Sequence, residues 1–128
     1  TIAVLGVTFK SNTDDMRESV ALDLIPQLLE ENARVQAYDP TAEHQAKASL
    51  PATVQWSDDA VSCIQGADAL VLLTDWSEFH ALDLQAAAAA MQQKILVDLR
   101  NFFDPQAAIA AGFDYYPIGS ALQKAKKP

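Results

Sequence analysis

Six short apolar runs, each separated from the next by a polar or helix-forming stretch, constrain the fold of this chain more than any other feature. The runs cover residues 2–5, 34–38, 53–56, 69–73, 95–97 and 114–117. Each is only long enough for one strand. The intervening segments place their apolar residues at helical spacing or carry strong helix formers. In the stretch that begins near Ser19, Ala21, Ile25 and Leu28 share one face, with Leu22 and Leu29 beside it. Strand and helix therefore alternate from end to end, which predicts a parallel sheet with helices on both faces. The predicted class is α/β, a three-layer α/β/α arrangement around a mostly parallel sheet of about six strands.

Local signals set the expected boundaries. Asn12-Thr13-Asp14-Asp15 offers helix caps, and Asn32 offers a left-handed stop to the first helix. Pro26 lies inside that helix, removes the bond to the Leu22 carbonyl, and predicts a kink or irregular turn. A short helix is predicted over 43–50, and Ser57-Asp58-Asp59 caps one running to about residue 65. The run 69–73 is the most hydrophobic strand, so it is expected at the centre of the sheet. A helix is predicted over 82–93, where the alanines 86–90 suit close packing on a sheet. A last helix, 105–111, ends at Gly112.

The 128 residues correspond to one ordinary domain, taken as 1–120 with a tail over 121–128. The tail holds Lys124, Lys126 and Lys127 and ends in Pro128. The chain opens directly in a strand, which suggests further residues upstream. A single cysteine, Cys63, excludes an internal disulfide and a multi-cysteine zinc site, and reads as a small buried hydrophobe. No apolar stretch is long enough to cross a bilayer, and no signal peptide is evident, so a cytoplasmic setting is expected. A net charge of -8 argues against nucleic acid and acidic membrane as partners.

That acidity makes the position of each cation informative. In open parallel sheets ligands bind beyond the carboxyl ends of the strands, near the reversal of strand order. With the Rossmann-like order 3-2-1-4-5-6, the first and fourth strands flank the reversal. Lys10, Arg17 and Arg100 are three of the six cations outside the tail, and all fall on this rim. They suit an anionic ligand. Each also has a carboxylate near in sequence: Lys10 has Asp14, Arg17 has Asp14 or Glu18, and Arg100 has Asp98 or Asp104. Spacing alone leaves both readings open. Gly6-Val7-Thr8-Phe9-Lys10 is neither G-x-G-x-x-G nor a P-loop, so the usual dinucleotide and ATP sites are not encoded. His44 and His80 lack a second ligand at metal spacing, and no metal site is expected. No Ser-His-Asp or Cys-His spacing marks a catalytic group.

The stretch Leu5-Gly6-Val7-Thr8-Phe9-Lys10-Ser11-Asn12-Thr13-Asp14-Asp15-Met16-Arg17-Glu18-Ser19 resembles the opening of the C-terminal domain of the UDP-glucose/GDP-mannose dehydrogenase family. Tyr38-Asp39-Pro40, the segment 67–79 with Thr74-Asp75-Trp76-Ser77-Glu78-Phe79, Val97-Asp98-Leu99-Arg100-Asn101 and Gly112-Phe113-Asp114-Tyr115-Tyr116-Pro117-Ile118-Gly119 match in order and spacing. The resemblance covers nearly the whole chain. It implies a domain that binds a sugar nucleotide whose C6 hydroxyl is oxidised to a carboxylate with two NAD per turnover. It also implies partners in the same protein: an N-terminal NAD-binding domain, which holds most of the cofactor, and a central helical dimerisation domain. The full enzyme is then expected to be a homo-oligomer, and this part alone to be inactive.

By the same resemblance Phe9, Lys10 and Arg100 are substrate-binding and Arg17 reaches towards NAD. The catalytic cysteine belongs to the other domains, and Cys63 does not match it. Leu99 departs from a common Asp-Gly-Arg, and the backbone shape at that point stays open. Tyr38-Asp39-Pro40 and the segment 74–79 look more like the UDP-glucose branch than the GDP-mannose branch. UDP-N-acetylhexosamine dehydrogenases share most of the first motif. A receiver-like signalling domain has similar alternation, but it wants an Asp ending the third strand and a Lys ending the fifth. Here Trp56 precedes Asp58, and the fifth strand leads to Arg100. A stand-alone binding module is the other reading from a different class.

Overall fold

The computed structural model describes residues 1–118, so the predicted tail lies outside the described residues. Strands β1 (Ile2–Leu5), β2 (Val35–Tyr38), β3 (Gln55–Trp56), β4 (Ala69–Leu72), β5 (Ile95–Asp98) and β6 (Asp114–Pro117) form one sheet. Their order is β3-β2-β1-β4-β5-β6, and every pairing is parallel. The apolar run 69–73 does lie at the centre, since β4 sits between β1 and β5.

Helices α1 (Ala21–Glu30), α2 (Lys47–Ser49), α3 (Ala60–Ile64), α4 (Leu84–Ala90) and α5 (Pro105–Ala110) supply the outer layers. Side chains alternate across the sheet, so successive residues of one strand feed opposite cores. Ala3, Leu5, Leu70, Leu72, Leu96 and Tyr115 cluster with Cys63 and Ile64 of α3, Ala87 and Ala88 of α4, and Ala108 of α5. Val4, Val35, Ala37 and Val71 cluster with Ala21 and Ile25 of α1 and with Ala46. Right-handed crossovers explain the division. Connections running from β1 towards β3 place their helices on one face; those running from β3 to β4 and on to β6 place theirs on the other.

Several boundaries differ from the sequence expectation. Residues 12–15 cap no helix, and α1 waits until Ala21. Ser19 sets that start: its hydroxyl donates to the Val7 carbonyl and accepts the Ala21 N–H. The helix continues through Pro26 to Glu30. Its Ala21 and Ile25 are fully buried, and that packing outweighs the one backbone bond proline removes. The helix predicted over 43–50 is a π-helical turn, Ala42–Ala46, running into the single turn of α2. Helix α4 begins at Leu84 because the Asp83 carboxylate caps it, accepting the N–H groups of Gln85 and Ala86. Ala87 and Ala88 of its alanine run are buried, as close packing requires. Asn32 and Gly112 adopt the left-handed conformation expected of helix stops.

Candidate functional site

The carboxyl ends of β1, β2, β4 and β5 meet on one rim, joined by a dense set of hydrogen bonds. The loop leaving β1 turns at Gly6, whose φ is +80°. A Cβ there would lie 2.5 Å from the Thr74 carbonyl oxygen. This glycine therefore lets two strand ends approach each other; it does not open space for a phosphate. The Thr74 hydroxyl donates to the Thr8 carbonyl at 2.6 Å, fastening the loop across β4.

Asp39 closes β2 and is 2% exposed. Its Oδ2 accepts the N–H groups of Val7 at 2.8 Å and Thr8 at 3.2 Å, and the Trp76 indole N–H at 3.3 Å. Its Oδ1 accepts the Thr41 N–H at 2.8 Å and the Thr41 hydroxyl at 2.7 Å. In dinucleotide-binding Rossmann domains the acidic residue after the second strand meets the ribose. Here that carboxylate is buried and occupied by protein donors. Together with the glycine-poor first loop, this arrangement does not fit a dinucleotide bound in the Rossmann manner.

Arg100 ties a third strand end to the same loop. Its Nε donates to the Leu73 carbonyl at 2.9 Å and its Nη2 to the Phe9 carbonyl at 2.8 Å. The alternative pairing with Asp98 or Asp104 is not made by the side chain; only the Arg100 backbone N–H reaches Asp98, at 3.0 Å. Leu99 needs no left-handed backbone, which Asn101 adopts two residues later. Asp98 is fully buried and also accepts the N–H groups of Phe102 and Phe103 and the Tyr115 hydroxyl. Burial, with the Asp98 bond second, raises the Tyr115 pKa well above the usual phenol range.

Above this framework the loop is open. Phe9 is 38% exposed, and Lys10 is exposed with no ion pair among the described residues. Arg17 pairs with Asp15 at 3.0 Å, and with neither of the two partners its spacing suggested. That bonding lowers the Asp15 pKa and raises that of Arg17. The Arg17 side chain is 89% exposed, so the pair is weakly held and available to a ligand. Phe9, Asp15, Arg17 and Glu18 line an open hollow of about 350 Å³. The structure thus brings Phe9 and Arg17 to one hollow and sews Arg100 to the Phe9 backbone. Lys10 follows Phe9 on the same exposed loop.

Other groups are accounted for elsewhere. Cys63 is fully buried, with its Sγ against the Val4 and Gln36 carbonyls, and burial pushes its thiol up to about 12. His44 lies 3.4 Å from Asp14, and His80 stacks on Phe102 with ring centroids 4.0 Å apart. No group of three or more metal-ligating side chains occurs among the described residues. A larger hollow of about 450 Å³ between the start of α4 and α5 is lined by His80, Asp83, Phe102 and Asp104, with no lysine or arginine. No described helix is long and apolar enough to cross a membrane. Sequence reasoning noted Asp39 only as a strand stop within a motif and gave Thr8, Thr74 and Trp76 no individual role. The available signal was a carboxylate at the end of an otherwise apolar strand.

These features define a class: a Rossmann-type α/β domain whose rim presents an aromatic and cationic loop, with the usual dinucleotide devices absent. The chain belongs to the UDP-glucose/GDP-mannose dehydrogenase family, and residues 3–105 match its UDP binding domain. It is 40% identical over 119 residues to the UDP-glucose 6-dehydrogenase YwqF of Bacillus subtilis, covering 93% of this chain and 27% of that protein. It is 42% identical over 118 residues to the UDP-glucose 6-dehydrogenase of Rhizobium meliloti, covering 92% of this chain and again 27% of the relative. The chain thus spans about a quarter of the length of these curated relatives. Among solved structures, a UDP-glucose dehydrogenase from Pyrobaculum islandicum aligns with TM-score 0.74 and 31% identity over 94% of this chain and 25% of that one. An NDP-N-acetyl-D-galactosaminuronic acid dehydrogenase from Methanosarcina mazei Go1 aligns with TM-score 0.76 and 27% identity, covering 92% and 24%.

Proposed function

We propose that this chain is the sugar-nucleotide-binding domain of an NAD-dependent UDP-glucose 6-dehydrogenase, which converts UDP-glucose and two NAD to UDP-glucuronate. The observation that carries the reading is the loop at the end of β1: Phe9 and Lys10 stand exposed on a backbone sewn down by Asp39, Thr74 and Arg100. Phe9 offers an apolar wall, and the Lys10 ammonium balances the diphosphate or the carboxylate that emerges at C6. Arg100 contributes from the loop after β5; its Nη1 has no protein partner among the described residues. Arg17 reaches across the cleft to NAD held mainly by the N-terminal domain, releasing Asp15 as it does so.

Hydride transfer and the nucleophile belong to the other domains. This chain binds and orients the substrate and oxidises nothing alone. The complete protein is a homo-oligomer that works in the cytoplasm and supplies uronate units for polysaccharide synthesis. The test is Lys10→Ala in the complete enzyme, with an expected rise of about tenfold or more in the UDP-glucose KM. Wild-type kinetics in that variant would count against the reading. The isolated chain should give no NADH with UDP-glucose and NAD.

A second reading is favoured by the likeness to the NDP-N-acetyl-D-galactosaminuronic acid dehydrogenase of Methanosarcina, which acts on an N-acetylated sugar nucleotide. Steady-state kcat/KM for UDP-glucose, UDP-N-acetylhexosamines and GDP-mannose in parallel separates the two, and we expect UDP-glucose to lead.

A further inference from the structure

We infer that Asp39 is a positioning residue for sugar-nucleotide binding: its buried carboxylate sets the shape of the loop that presents Phe9 and Lys10. The inference rests on the substrate reading above and extends it to a residue that touches no ligand. Asp39 is 2% exposed, yet no lysine or arginine pairs with it among the described residues. Its charge is met by N–H and O–H donors alone. Two of them, the successive N–H groups of Val7 and Thr8, immediately precede Phe9. A carboxylate that binds consecutive backbone donors dictates the local dihedral angles, because the donors must converge on one oxygen.

The link then passes directly to Lys10. The Thr8 hydroxyl lies 3.3 Å from Asp39 Oδ2 and 3.2 Å from the Lys10 carbonyl, one proton serving both. The Trp76 indole N–H is shared between that hydroxyl and Asp39, each at 3.3 Å. Thr8 is gripped from its other side by Thr74. Lys10 is exposed and makes no ion pair of its own among the described residues, so what the protein fixes of it is the backbone position from which the ammonium reaches. Asparagine at position 39 cannot replace the carboxylate. Both oxygens face N–H donors, so the amide nitrogen must oppose a donor in either orientation.

The experiment is Asp39→Asn in a full-length enzyme carrying this domain. We expect the UDP-glucose KM to rise about tenfold while the NAD KM stays within about twofold. Leu96→Ala, a cavity in the core covered by α3, α4 and α5, measures what lost stability does alone, and should leave both KM values within about twofold. An unchanged UDP-glucose KM in Asp39→Asn overturns the inference. So does a parallel rise in both KM values.

Should Asp39→Asn fail to fold, Thr8→Val removes only the hydroxyl that connects Asp39 to the Lys10 carbonyl. It should raise the UDP-glucose KM about threefold, and Thr8→Ser should restore it. Wild-type kinetics in Thr8→Val also overturn the inference. Lys10→Ala keeps the two readings apart. If it leaves UDP-glucose kinetics unchanged, the substrate reading fails. If it weakens binding and the Asp39 and Thr8 variants do not, only the positioning role fails.

Discussion

Asp39 and Asp98 occupy matching places at the carboxyl ends of β2 and β5, and their differences separate support from function. Both are buried carboxylates that end a parallel strand, and each accepts several protein donors. Asp98 takes donors almost entirely from its own side of the sheet: Arg100, Phe102, Phe103 and, on the neighbouring strand, Tyr115. It shapes the turn into α5 and holds the edge strand. Asp39 takes its donors from two other strand ends, through Val7, Thr8 and Trp76, as well as from Thr41. One carboxylate consolidates a local turn; the other joins the loop after β1 to the loop after β4. Removing the first should cost mainly stability, and removing the second should also displace the exposed loop that carries Phe9 and Lys10.

The largest effect should come from Asp98→Asn. The Tyr115 hydroxyl and two backbone N–H groups converge on Oδ2. An amide either turns its nitrogen towards those donors or keeps one oxygen there without the charge. A loss of about 3 kcal/mol is expected, from weakened or orphaned buried donors. Urea unfolding of the 128-residue chain checks it, and a loss below about 1 kcal/mol would erase the contrast with Asp39. Gly6→Ala should follow at about 2 kcal/mol, because the new methyl meets the Thr74 carbonyl and the backbone φ is positive. That variant strains the junction Asp39 clamps without touching the carboxylate. A stability loss below about 0.5 kcal/mol would mean that the two strand ends separate easily.

These two residues also mark what the sequence made legible. The order of elements, the central β4 and the rim itself followed from alternation and from the geometry of parallel sheets, because burial on both faces leaves a clear apolar signal. Lys10, Arg17 and Arg100 stood out as candidates by charge placement, since cations are sparse in an acidic chain, and Phe9 by family resemblance alone. Their partners did not. Arg100 bonds to two backbone carbonyls, and any residue type can supply a carbonyl. Asp39 was legible as a strand stop but not as a clamp, because the donors it takes from the loops after β1 and β4 lie 31 to 37 residues away. The loop 12–15 misled for a related reason: Asp and Asn serve turns as readily as helix caps.

Alkaline pH should sharpen the comparison through the tyrosines beside the two strand ends. Tyr38 precedes Asp39, and burial followed by the bond to Glu78 pushes its phenol up to about 12. Tyr115 shifts upward as well, by burial and by its bond to Asp98. A raised phenol pKa means the folded state holds the proton more tightly than the unfolded chain. The associated stability is complete below the ordinary value of 10.0 and is lost as pH rises through about 12. Urea midpoints measured from pH 9 to 12 should fall, and Tyr38→Phe should make the fall shallower. An identical slope in the variant would remove Tyr38 from the account.

The smallest expected effect on stability belongs to the open side of the rim. Arg17 is 89% exposed and its pair with Asp15 faces water, which screens it, so Arg17→Ala should leave unfolding stability nearly unchanged. The sign is still defined. Arg17 lowers the Asp15 pKa, so whatever the pair contributes is present above the ordinary value of 3.8 and fades as pH falls through the folded-state value. Carbon-detected NMR titration of the Asp15 carboxyl should therefore show its pKa moving up in the variant. In the complete enzyme the same substitution should raise the NAD KM several-fold and leave the UDP-glucose KM nearly unchanged, the reverse of the pattern expected for Asp39→Asn. A clear shift of the urea midpoint to lower denaturant would place Arg17 in the framework with Arg100. An unchanged NAD KM would leave its exposed guanidinium with a structural partner and no ligand.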